Sequence, residues 1–233
     1  MRMLAQHLER LRSQRTPLGV ALAFVYLPIA LVLASTGLFV MATDAHITFF
    51  MDDAKAVYNI PFHAGALSSI GILLWCATTT VALFTWIVLS RTAPESERRP
   101  FLLSAGLLTS ILMLDDLLLL HERFAPRSLG LSDDLLYLLY AVLAGAMLLY
   151  YRHVIYRSAY ALLLLSGALL AGSLAFEVLH GYDLLLSGAG SRGLQQFLED
   201  GCKLLGVAGW FSYLGWTSYT SLVHSHAAEM TAR

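Results

Sequence analysis

The stretch FLLSAGLLTSILMLDDLLLLHERF, residues 101–124, decides how this chain is read. It opens with an uncharged apolar run, meets Asp115 and Asp116, continues through four leucines, and ends on His121, Glu122 and Arg123. An apolar helix of about 20 residues crosses the roughly 30 Å hydrocarbon layer of a membrane. Ionisable groups at membrane depth are costly and are seldom kept without a partner or a task. The stretch therefore predicts a membrane-spanning helix with a polar site at one end.

The rest of the chain fits that reading. Of its 233 residues 58% are hydrophobic and only 13% charged, and the mean hydropathy is +0.66. A soluble domain carries about a quarter charged residues. The composition predicts an all-α, polytopic membrane helical bundle. Six apolar stretches are long enough to span, near 18–41, 62–90, 101–121, 134–151, 159–180 and 198–222. Short connections between them predict one compact domain over 18–222, preceded by a segment 1–17 and followed by a polar tail 223–233. Pro17 and Pro61 suit helix starts, and Pro28 suits a kink. Arg91 to Pro100 and Gly181 to Gly193 read as loops. The N-terminal arginines before an apolar run have the polarity of a secretory signal. The run is longer than a signal core and shows no small-x-small cleavage site, so it reads as a retained first span.

Orientation follows from the cations. With the N-terminus inside, ten arginines fall on the inner side, whereas Lys55, Arg123, Arg127 and Arg192 fall outside and Lys203 falls within a span. Both termini are then cytoplasmic. The acids run the other way: Glu9, Glu95, Glu97 and Glu229 are inside and the other twelve are outside or buried towards it. A bacterial inner membrane with an acidic periplasmic face fits, and an organelle membrane would carry the same asymmetry. A net charge of −1 gives no reason to expect a nucleic-acid partner.

The candidate site lies on the outer side. Asp115 and Glu122, at the end of the third span, are seven apart and about 20° apart around the helix axis. They then share a face, with His121 and Asp116 flanking it on opposite sides. Glu177 and His180, at the end of the fifth span, have the Glu-x-x-His spacing that gives one metal two ligands in carboxylate bundles. A second such motif is missing, since Asp200-x-x-Lys203 stands where it would be expected. Glu199 and Lys203, at the start of the sixth span, are four apart with the acid first, the favourable order for an intrahelical pair. His63 opens the second span on the same side. It either joins the site or satisfies a backbone carbonyl. Asp52 and Asp53 read as a solvated turn in a loop long enough to act as a lid. Asp133 and Asp134 read as caps of the fourth span.

The remaining residues read as scaffold. Ala141 with Gly145, Gly167 with Ala171, and Ala168 with Gly172 have the spacing that lets membrane helices approach closely. Tyr58, Tyr150, Tyr151, Tyr182, Trp216 and Tyr219 suit interfacial anchoring. Cys76 and Cys202 form no disulfide framework or zinc pattern and read as small packing residues. His224 and His226 read as tail.

Three function classes follow. The first is a metal-dependent enzyme. Asp115, Asp116, His121, Glu122, Glu177 and His180 supply oxygen and imidazole ligands suited to Zn, Fe or Mn, and Glu199, Asp200 and Lys203 supply the acid–base and charge-holding groups of catalysis. A site just beneath the head groups suits a lipid or lipid-linked substrate, with hydrolysis expected first and oxidation second. The second is a proton- or cation-coupled transporter. Against it, the charges lie on one side rather than at the midplane, and no inverted repeat is visible. The third is a scaffold whose polar network only fixes helix packing. A haem or quinone protein ranks below these, because the histidines do not pair at two depths. The His-x-x-x-His pair of alkaline ceramidase-like hydrolases and the paired glutamates of intramembrane prenyl-processing proteases are both missing. Oligomeric state is open at this level.

Overall fold

A computed structural model describes residues 26–43, 58–61, 63–181 and 189–231. The chain is all-α, with no strand among the described residues. It divides into two compact units, Met1–Ala64 and Gly65–Arg233. The first unit contains helix α1, Leu27–Thr43, whose described side chains are mostly exposed.

The second unit contains α2 (Ala66–Thr92), α3 (Arg98–Leu118), a π-helical segment (Leu120–Leu129), α4 (Asp133–Tyr150), the short α5 (Arg152–Tyr156), α6 (Tyr160–Gly181) and α7 (Ala189–Thr231). All six apolar stretches are thus helical over most of their length. Among the described residues, α2 and α3 are the two helices long and apolar enough to cross a membrane. Leu135–Tyr150 and Tyr160–Phe176 are shorter apolar helices.

The boundaries differ from expectation in three places. Arg98 to Pro100 form the first turn of α3 rather than loop, because proline lacks only an N–H that the first turn does not use. The last helix starts at Ala189, inside the segment read as loop, and runs to Thr231 through His224 and His226. Ser132, not Asp133 or Asp134, occupies the N-cap of α4. The two aspartates fall in the first turn, where the helix dipole favours acids.

Helix α7 packs along both α2 and α6, and α2 packs along α3. The core between them is Trp75, Ala82 and Leu89 of α2, Phe101, Leu102, Ala105 and Leu108 of α3, and Val207, Trp210, Tyr213 and Leu214 of α7. Glycines set the closest approaches. A Cβ on Gly206 would lie 2.7 Å from Leu170 Cγ and 3.0 Å from its backbone nitrogen, and one on Gly209 would lie 3.0 Å from Ser166 Cβ. Ser166 Oγ donates to Gly206 O at 2.7 Å, which ties α6 to the α7 backbone. The small residues singled out by spacing behave differently. Gly145, Gly167 and Gly172 have nothing near an added Cβ, and Ala141, Ala168 and Ala171 are exposed. Spacing marks every small-residue stripe alike, and only the position of the partner helix selects one. Cys76 is likewise exposed rather than packed.

Candidate functional site

The third span does not run unbroken to His121. Helix α3 ends at Leu118, and Leu119 takes a left-handed conformation at φ 51° and ψ 45°. The chain then winds more widely through the π-helical segment, which carries Pro126 and closes at Gly130, φ 65°. Proline inside that segment removes a donor that a regular α-helix would need. The consequence is local and decisive. His121 folds back onto the last turn of α3 instead of flanking it.

Asp115 receives three donors as a result. His121 N–H donates to Oδ1 at 3.0 Å, Tyr140 O–H of α4 donates to the same oxygen at 3.0 Å, and His121 Nδ1 lies 2.5 Å from Oδ2. Both Asp115 and His121 are only 4% exposed. A carboxylate so buried needs such donors, because an uncompensated buried charge is strongly destabilising. With Asp115 ionised, Nδ1 carries the proton and Nε2 the lone pair of the neutral ring. The Tyr137 ring stands beside the imidazole, with centroids 5.1 Å apart.

Asp116 points elsewhere, because successive helical residues diverge by about 100°. Its Oδ2 accepts from Trp75 Nε1 of α2 at 2.9 Å, and its Oδ1 accepts from Lys203 Nζ of α7 at 2.8 Å. Lys203, expected to pair along its own helix with Glu199, thus also reaches across the bundle. The adjacent aspartates serve different helices: Asp115 joins α3 to the π-helical segment and α4, and Asp116 joins α3 to α2 and α7.

Both pairs line one cavity of about 340 Å³. Its walls are otherwise largely apolar, with Leu112, Ala141, Ala144, Leu170, Ala171 and Leu174 from α3, α4 and α6. The small residues of α4 and α6 leave room there instead of closing a helix contact.

Of the residues expected from sequence, the structure brings together Asp115, Asp116, His121 and Lys203. The side chains of Glu122, Glu177 and His180, and the acidic loop at Asp52 and Asp53, lie outside the described residues. Asp200 is exposed and Glu199 half-buried, and neither lines the cavity. His63 is exposed and belongs to the N-terminal unit. Among the described residues no three His, Cys, Asp or Glu side chains are placed to hold a metal ion. Asp115 Oδ1 already accepts from two donors, and Asp115 Oδ2 and both Asp116 oxygens accept from one each.

Trp75, Tyr137 and Tyr140 are site residues that sequence reasoning missed. The signal was present for the tyrosines. Tyr137, Tyr140, Ala141 and Ala144 recur at the spacing of a single helix face, with a tyrosine well inside an apolar helix rather than at its end.

No curated protein and no solved structure matches this chain. Residues 16–217 match a family described as Domain of unknown function (DUF8692), and the chain belongs to that family.

Proposed function

We propose that this protein is a six-span inner-membrane enzyme with both termini in the cytoplasm, acting on a lipid or lipid-linked substrate at the periplasmic side. The single observation that carries the reading is the cavity: an apolar pocket between helices with a buried Asp115–His121 pair and the Asp116–Lys203 pair in its wall. Such a shape suits an amphipathic molecule whose chain lies against Leu112, Leu170 and Leu174. His121 is the general base, oriented by Asp115 as a third group orients a catalytic imidazole. Tyr140 holds Asp115 in place. Lys203 stands where it can attract an anionic group of the substrate or steady a developing negative charge. Hydrolysis is the favoured reaction, with water as the nucleophile that His121 activates. Metal assistance would require Glu122, Glu177 or His180 to complete a donor set with His121.

The test uses the full chain purified in detergent and a total polar-lipid extract in mixed micelles. Products are followed by mass spectrometry for wild type and His121→Gln, each with and without a chelator. New lipid hydrolysis products formed by wild type and lost in the variant support the reading, and loss with chelator assigns the metal-assisted form. Lipid retained by both proteins with no conversion by either would overturn the enzyme reading in favour of a binding or transport role.

A further inference from the structure

At the other end of the Gly65–Arg233 unit, a second cavity of about 400 Å³ lies between the α2–α3 turn, α5 and the last turns of α7. Its polar lining includes Glu97, Arg98, Arg157, Ser221 and His224, beside an apolar patch of Leu89, Ala93 and Val154. Arg98 is half-buried in this wall. Its Nη1 donates to Thr220 Oγ1 at 3.0 Å and Ser221 Oγ at 3.4 Å. Both acceptors are neutral, and both donate onward to α7 carbonyls, Thr220 to Trp216 O and Ser221 to Thr217 O. The neighbouring Glu97 turns instead to Arg157 at 3.6 Å and His153 at 3.9 Å. Among the described residues no carboxylate pairs with Arg98.

A cation placed only to satisfy the positive-inside bias would point into water or head groups, as the exposed Arg91 does. Arg98 is instead held inward by hydroxyls, which fix its position without neutralising it. A guanidinium offers five N–H donors in a planar fork that matches phosphate oxygens. We propose that this cavity binds a phosphate group, with Arg98 as its principal ligand and Arg157 and Ser221 beside it. The apolar patch of Leu89, Ala93 and Val154 accommodates the glycerol end of a phospholipid. A soluble phosphate would use the same polar groups. That the lipid would come from the cytoplasmic leaflet rests on the topology proposed above, whereas the site itself does not.

The test is titration calorimetry on the full chain in phosphate-free detergent buffer. The probes are dihexanoyl phosphatidic acid, inorganic phosphate and dihexanoylglycerol, which lacks the phosphate. Wild type is expected to bind the phosphatidic acid saturably and the diacylglycerol not at all. Arg98→Gln should weaken that binding about tenfold or more, the worth of a charge-assisted hydrogen bond. Arg157→Gln, at a side chain 78% exposed, should weaken it by a few-fold and still fold if Arg98→Gln does not. Phosphatidic acid bound without inorganic phosphate identifies a lipid headgroup site, and equal binding of both identifies a site for soluble phosphate. Binding of neither, equal binding of the diacylglycerol, or affinities unchanged in both variants would overturn the proposal and leave Arg98 as a clamp between α3 and α7.

Discussion

His121 Nδ1 lies 2.5 Å from the carboxylate of Asp115, six residues earlier, and the left-handed turn at Leu119 is what brings them together. In an unbroken helix, positions six apart point about 120° away from each other. The backbone defect is therefore part of the site and not an irregular end of a span.

That turn makes a testable asymmetry. A left-handed non-glycine residue costs about 1–2 kcal/mol. Leu119→Gly removes that cost and loses some leucine contacts, so its stability should stay within about 1 kcal/mol of wild type. Leu119→Val keeps an apolar side chain but adds β-branching where φ is positive, and should lose more than Leu119→Gly. Thermal unfolding in detergent reads both. A Leu119→Val protein as stable as Leu119→Gly would show that the turn is not strained as described.

Tyr140→Phe deletes one donor to a buried carboxylate and changes little else. It should cost about 1–3 kcal/mol in stability. If His121 is the base, the variant should also lower kcat more than it raises KM, since the loosened Asp115 still leaves the apolar pocket intact. Equal loss in His121→Gln and in the Tyr140→Phe, His121→Gln double variant would place both residues in one functional unit.

The Asp116–Lys203 pair suits a double-mutant cycle. The Lys203 side chain is 44% exposed, so screening limits the pair to about 1 kcal/mol of coupling. Asp116→Asn alone should cost more than the double variant with Lys203→Met, because the single change removes the carboxylate that Lys203 meets across the bundle while keeping the cation. Additive losses would mean that Trp75, not Lys203, is what Asp116 serves.

Glycine contacts predict a contrast along α7. Gly206→Ala drives a methyl into Leu170 and its backbone and should destabilise by about 1–3 kcal/mol. Gly201→Ala meets nothing within 4 Å and should be neutral or mildly stabilising through helix propensity. Equal effects would mean that α6 and α7 do not approach at Ser166 and Leu170.

Topology is read by cysteine labelling in a Cys76→Ala, Cys202→Ala background. With six spans, Ser96→Cys should react with a membrane-impermeant maleimide only after the inner face is opened, and Ser132→Cys should react in intact cells. Labelling of both from the same side would remove the span assigned to α3.

The sequence by itself determined the helical segments, because apolar runs bounded by Pro, Gly and charge permit little else. It also singled out Asp115, Asp116, His121 and Lys203, because charge within apolar helices stands out against its surroundings. Only the tertiary structure decided who meets whom. The face shared by Asp115 and Glu122 was inferred from a straight helix, and one left-handed residue at Leu119 ended that helix before His121. Spacing along one helix offers Lys203 only Glu199 as a partner, and its 2.8 Å bond to Asp116, across 87 positions, is visible only in the tertiary structure. Trp75 and Tyr140 gave no local sign of their partners for the same reason. Local periodicity encodes which face a residue occupies. What that face meets depends on the packing of other helices, which here is set by close approaches such as Gly206 against Leu170.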